Sequence, residues 1–266
     1  MKKIITLVLA ALMCLACFTA CGQGSDLAYV KKNGELVIGI TIYDPMNYYM
    51  EDGTTLTGFD TDFANEVCKR LGVKANFVVI DWNTKETELK SKNIDAIWNG
   101  LTVTEERREN MDFTTSYLIN KQCIVVPKDK ADAYNSTEDF AEKMLAAEKG
   151  SAGATAIETD AGLKKGKFTA AADQSKALQE LLSGNVDAAV IDYTMAKATV
   201  GNGDFANYAI LDIELPNEEY AIGFRVGSDL TAEVNKIIAE MIEDGSLAKI
   251  AEKYDMTELY NEAVKD

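Results

Sequence analysis

The chain has 266 residues, 27 Lys and Arg against 43 Asp and Glu, a formal charge of −16, and no histidine. Such acidity repels the phosphate backbone and argues against nucleic-acid binding. The missing imidazole excludes Ser-His-Asp and Cys-His catalysis, HExxH zinc sites and histidine proton shuttles, so the composition favours a binding protein over an enzyme and implies no metal site and no cofactor.

The N-terminus reads as a targeting segment. Lys2 and Lys3 precede an uncharged apolar run from Ile4 to Ala20, a little short to span a membrane and followed by Gly, Gln, Ser and Asp. Phe18-Thr19-Ala20-Cys21-Gly22 resembles a bacterial lipobox with Cys21 as the lipidated first residue. Cys17 after Leu15-Ala16 is a second candidate, and an ordinary secretory cleavage near Ala20 is the alternative. In each case the mature chain of about 245 residues works outside the cytoplasmic membrane. The expected division is a leader over 1–20 and a lipid-anchored tether over 21–34. Of the remaining cysteines, Cys68 and Cys123 read as two buried thiols, with no disulfide framework.

Leu36 to Ile42 reads as a strand. Gly58 to Leu71 is a helix with Phe59, Phe63, Val67 and Leu71 on one stripe. Val73 to Val79 alternates as a strand, Thr84 to Lys92 is a short helix, and Ile94 to Trp98 is a third strand. Strands and helices alternating at this spacing mean βαβ units and mostly parallel sheets. Asn93-Ile94-Asp95-Ala96-Ile97 then recurs as Asn185-Val186-Asp187-Ala188-Ala189, 92 residues on, again after an amphipathic helix (Ser175 to Leu182). Two lobes of similar plan follow. Crossovers at Lys121–Lys130 and Glu214–Arg225 place one lobe over 35–124 and 216–262 and the other over 125–215. Leu230, Val234, Ile237, Ile238, Met241 and Ile242 stripe one C-terminal helix, and Leu247 to Tyr254 forms another.

Ligands of open α/β sheets bind beyond the carboxyl ends of strands. The two copies end at Asn99-Gly100-Leu101-Thr102 and Ile191-Asp192-Tyr193. After the first, Thr104-Glu105-Glu106-Arg107-Arg108 opens a helix, where unpaired backbone N–H groups point outward, and Arg107 adds a fork suited to a carboxylate. The turn Gly150-Ser151-Ala152-Gly153 offers similar donors. Asp192, the Gly100 carbonyl and the Thr102 hydroxyl are acceptors for an ammonium, and Tyr43 and Trp82 are aromatic flanks. Each has a plainer reading. Arg107 is otherwise a solvated charge, Thr102 or Thr104 a helix cap, Asp192 an N-cap, the glycine turn a flexible loop, and the aromatics core.

Several marks, in order, resemble the family 3 bacterial solute-binding proteins over nearly the whole mature chain. They are Gly58-Phe59-Asp60-Thr61-Asp62-Phe63, Asn93-Ile94-Asp95-Ala96, Thr102-x-Thr104-x-x-Arg107, Phe113-Thr114-x-x-Tyr117, Gly150-Ser151, Asp187-Ala188 leading to Asp192, and Tyr220-Ala221-Ile222-Gly223-Phe224. The resemblance implies a two-lobed, type II periplasmic-binding-protein-like α/β fold with a two-strand hinge. It implies an extracytoplasmic, lipid-anchored monomer that closes on a free polar amino acid and delivers it to the transmembrane subunits of an ABC permease. By the same resemblance Arg107 holds the α-carboxylate, Gly100 and Thr102 (with Asn99 in the same turn) meet the ligand backbone, and Asp192 receives the α-ammonium. Tyr43 and Trp82 flank the ligand, and Ser151 and Ala152 donate from the second lobe. This chain departs from the pattern with Ile40-Thr41 where many binders of basic and polar amino acids carry an aspartate, Met46 for a phenylalanine, Ala75 where some have a cysteine able to pair with the equivalent of Cys68, and Ala152 for a hydroxyl residue. Glu148 either meets a cationic side chain or faces solvent. The alternative on the same fold is a cyclohexadienyl dehydratase-like enzyme acting on prephenate or arogenate.

Overall fold

The stripe on the first long helix is enclosed: Phe59, Phe63 and Val67 are 0% exposed along the helix Phe59–Leu71. In this computed structural model, which describes residues 24–265, that helix packs beside the first of two main sheets. The leader and Cys21 lie outside the described residues. The strands are β1 (Glu35–Ile40), β2 (Tyr48–Tyr49), β3 (Leu56–Thr57), β4 (Lys74–Val79), β5 (Ala96–Ile97), β6 (Met111–Phe113), β7 (Leu118–Pro127), β8 (Met144–Glu148), β9 (Lys167–Ala171), β10 (Ala188–Asp192), β11 (Tyr208–Ile210), β12 (Asn217–Tyr220) and β13 (Gly223–Arg225).

The first sheet has the order β4-β1-β5-β13-β6 and the second β11-β7-β10-β8-β9. In each, three strands are parallel, β4-β1-β5 and β10-β8-β9, as βαβ units require. The antiparallel pairings fall where the chain arrives from or leaves for the other lobe, at β13 with β5 and β6, and at β7 with β10 and β11. The strand β7 serves both lobes. Leu118 to Lys121 pair with β12, and Gln122 to Val125 pair with β10, so the second sheet begins at Gln122 rather than at 125. The pair β7–β12 is the two-strand hinge.

Part of the stretch expected as a tether over 21–34 is ordered structure. Asp26–Asn33 is a helix capped by Ser25 and docked on the first lobe. Leu27 N–H donates to Asp229, Val30 is fully buried, and Asp26 meets the buried Arg225 guanidinium at 2.9 Å. Arg225 also grips Asp95 at 2.9 Å and the Ile94 carbonyl at 2.7 Å, so the charge is paired where it is buried. Polar composition hid this helix. The C-terminal stripe holds except at Ile242, which is 38% exposed because one more residue turns it roughly 100° from Met241.

The sequence repeat is also a repeat of hydrogen bonds. Asn93 Nδ2 donates to Glu88 and Asn185 Nδ2 to Glu180, each at 2.7 Å. The Asp95 carboxylate accepts from Val37 N–H, and Asp187 does the same for Met144, which locks each copy to its neighbouring strand. Before each asparagine the chain turns with positive φ, 62° at Lys92 and 73° at Gly184. That conformation costs a side-chain-bearing residue about 1–2 kcal/mol, partly offset by glycine's greater entropy in the unfolded chain. Lys92 recovers little from its exposed 3.8 Å contact with Asp26. Lys92→Gly should therefore stabilise the fold by about 0.5–1 kcal/mol, read as a higher urea midpoint at unchanged slope.

Candidate functional site

The turn after β5 is held from below. Gly100 has φ 56°, and a Cβ there would come 2.2 Å from the Tyr43 hydroxyl, so only glycine fits. Its N–H donates to Asp60 Oδ2 at 2.7 Å, and the Tyr117 hydroxyl donates to the same oxygen at 3.1 Å. One turn along the helix, Phe63 meets the Trp98 ring edge-on with centroids 4.9 Å apart. Asp60 is fully buried, and loss of water pushes its carboxyl up to about 7 although Gly100 and Tyr117 stabilise the charged form.

Thr104 caps the helix Glu105–Arg108 by accepting from Arg107 N–H, whereas the Thr102 hydroxyl donates to Glu218 at 3.0 Å. Arg107 is not a surface charge. It is 8% exposed, and its guanidinium donates to the carbonyls of Thr102 at 2.7 Å and of Gly150, in the facing lobe, at 3.3 Å. Beside it Lys85 Nζ donates to the carbonyls of Trp82 and Gly150, and burial with Arg107 nearby lowers its pKa to about 8.

Across the cleft, β8 ends at Glu148 and the turn enters the helix Ala152–Thr159. The turn is ordered by capping: Ser151 Oγ accepts from Ala154 N–H, which leaves its own proton free to donate. The N–H groups of Ala152 and Gly153 have no partner within the helix. Asp192 stands at the N-cap position of Tyr193–Thr199, yet its side chain makes no capping bond. The carboxylate turns inward, accepting from Gln174 and Gln122, and from Asn120 at 3.2 Å. Asn120 and Gln122 also donate to Glu218 on β12, so a buried and a half-buried carboxylate share one set of amides. Desolvation raises both, Glu218 to about 8 with Asp192 adding to the rise.

All nine residues singled out in the sequence, Tyr43, Trp82, Asn99, Gly100, Thr102, Arg107, Ser151, Ala152 and Asp192, line one cavity between the lobes, drawn nearly shut to about 10 Å³. Thr41, Glu148 and Gln174 complete its wall. The aromatics serve both readings, with their bodies in the hydrophobic clusters and an edge on the cavity. Buried polar atoms are almost always partnered. Here the Tyr43 hydroxyl, Asn99 Nδ2 and Glu148 Oε1 are not, and all three belong to this wall. The first lobe offers a cationic fork, and the second offers helix-start N–H groups and a carboxylate.

Sequence reasoning missed Gln174, Asn120, Gln122 and Glu218. A signal for Gln174 existed in the repeat: it lies 92 residues after Trp82, as Asp192 lies 92 after Gly100. Cys68 and Cys123 are free and buried, and burial pushes the Cys68 thiol up to about 12.

Two α/β lobes joined by paired crossover strands over a shared polar cavity define the type II periplasmic-binding fold. Residues 36–257 match the bacterial extracellular solute-binding proteins, family 3, and the chain belongs to that family. The arginine-binding extracellular protein ArtP of Bacillus subtilis (strain 168) is 30% identical over 96% of this chain and 98% of its own. The L-cystine-binding protein TcyA of the same organism is 30% identical over 96% of this chain and 97% of its own. The structure of an ancestral arginine-binding protein bound to arginine superposes with a TM-score of 0.78 at 35% identity, covering 83% of this chain and 98% of the other.

The Asp60 carboxyl sits near 7 in the fold against an ordinary 3.8, so between those values the folded chain holds a proton that the unfolded chain has lost. Its contribution to stability is full below the lower value and is lost as pH rises through 7. Asp60→Asn keeps an acceptor for Gly100 and cannot titrate. Urea unfolding from pH 4 to 7.5 should show wild-type stability falling steadily relative to the variant, and parallel curves would refute the assignment.

Proposed function

We propose that this chain is the amino-acid receptor of an ABC importer, lipid-anchored through Cys21 outside the cytoplasmic membrane and acting as a monomer. It takes up a free polar amino acid, closes on it about β7 and β12, and presents it to the transmembrane subunits of the permease. The observation that carries this reading is that the buried Arg107 and the buried Asp192 line the same cavity, whose wall holds three unpartnered polar atoms. A zwitterion brings a carboxylate and an ammonium, and desolvating both requires a partner for each. Arg107, with the Ala152 and Gly153 N–H groups, receives the first; Asp192, with the Gly100 carbonyl and the Thr102 hydroxyl, receives the second. The names of the relatives, binders of arginine and of cystine, support the same class.

Thermal-shift screening of the twenty amino acids identifies the ligand, since a molecule bound only by the folded state raises the melting temperature. With that ligand, calorimetry on Arg107→Ala should show a loss of about 2–5 kcal/mol, because a buried carboxylate is left unpaired. Affinity within threefold of wild type would remove Arg107 from the site. Arg107→Lys should also bind poorly, an ammonium lacking the planar fork. Binding is the whole activity: prephenate or arogenate incubated with pure protein should yield no aromatic absorbance. Cys21→Ala should move the protein from the membrane fraction into the soluble extracytoplasmic fraction.

A further inference from the structure

Three charged side chains line the cavity: Arg107, Glu148 and Asp192. The two ends of an amino-acid backbone answer one cation and one anion. Glu148 is left over. It closes β8, it is 2% exposed, and its Oε1 has no hydrogen-bond partner. Of the charges that act on it, Asp192, Asp173 and Asp81 are acidic and Lys85 is the cation. Lys85 spends its hydrogen bonds on the carbonyls of Trp82 and Gly150. Burial and the acidic neighbours push the Glu148 carboxyl well above the ordinary range, and a cation brought against its unpartnered oxygen by a ligand would return it to the charged form.

We propose that Glu148 receives the cationic end of the ligand's side chain, so that this receptor selects basic amino acids, those with a guanidinium or ammonium beyond the α-carbon. The inference rests on the amino-acid-receptor reading above and narrows it. Tyr43 and Trp82 supply the apolar wall for the methylenes of such a side chain, while Gln174, already bonded to Asp192 at both ends of its amide, is committed to the backbone end. A neutral amide side chain would leave Glu148 either charged and unpaired or holding a proton.

Arginine and citrulline test this without altering the protein, because they match in shape and differ in charge. Calorimetry on the mature chain should show arginine, lysine or ornithine binding near micromolar and citrulline at least tenfold more weakly than arginine. Glu148→Gln, near-isosteric, should weaken arginine at least tenfold and leave citrulline within threefold. The inference is overturned if citrulline, glutamine or another neutral amino acid matches the tightest basic one, or if Glu148→Gln keeps full preference for arginine. A wild-type chain that binds neutral amino acids alone refutes this inference and leaves the receptor reading standing. A chain that binds none of the twenty refutes the receptor reading, and this inference with it.

Discussion

A buried guanidinium must have acceptors, and Arg107 finds them on both sides of the molecule. The Thr102 carbonyl belongs to the turn that follows β5, and the Gly150 carbonyl to the turn that follows β8. One side chain thus registers the two lobes against each other. Lys85 reaches the same Gly150 carbonyl, so a single backbone oxygen collects two cations from the facing lobe. The cleft wall is built around that arrangement, with Thr104 fixing the start of the arginine's helix and Ser151 fixing the helix opposite.

Four carboxyl groups stand in or beneath the cleft, Asp60, Glu148 and Asp192 buried and Glu218 half-buried, all raised mainly by desolvation. They differ in what holds them. Asp60 serves the fold, gripping Gly100 N–H from beneath. Asp192 and Glu218 share Asn120 and Gln122, and their mutual repulsion opposes charge on both at once. Since Glu218 lies on the hinge strand β12, the charge state near Asp192 is tied to the strand about which the lobes turn.

Much of this was legible in the chain, for identifiable reasons. Helix Phe59–Leu71 declares itself through a four-residue apolar rhythm, and the 92-residue repeat declares the two lobes because each copy makes the same bonds in three dimensions. Arg107 and Asp192 were legible because they sit where strand ends meet helices. The supporting amides were not. Asn120 and Gln122 lie mid-strand in β7, where alternation alone cannot tell a buried polar side chain from a solvated one. Glu148 was ambiguous for the same reason, and its burial is decided by the sheet neighbours of β8. The helix Asp26–Asn33 was hidden because its attachment depends on Arg225, about 200 residues away.

That early docking ties the start of the described chain to residues about 200 positions later. Asp26 is clamped to Arg225 and Ser25 donates to Asp229, so on the proposed lipidation of Cys21 the leash would be a handful of residues, at most about 15 Å long. On that proposal the half of the molecule carrying β1 would be moored at the headgroups, and the half carrying β8 and β10 would be the one that swings. In that arrangement the arrival of cargo would reach the membrane as movement of the outer jaw.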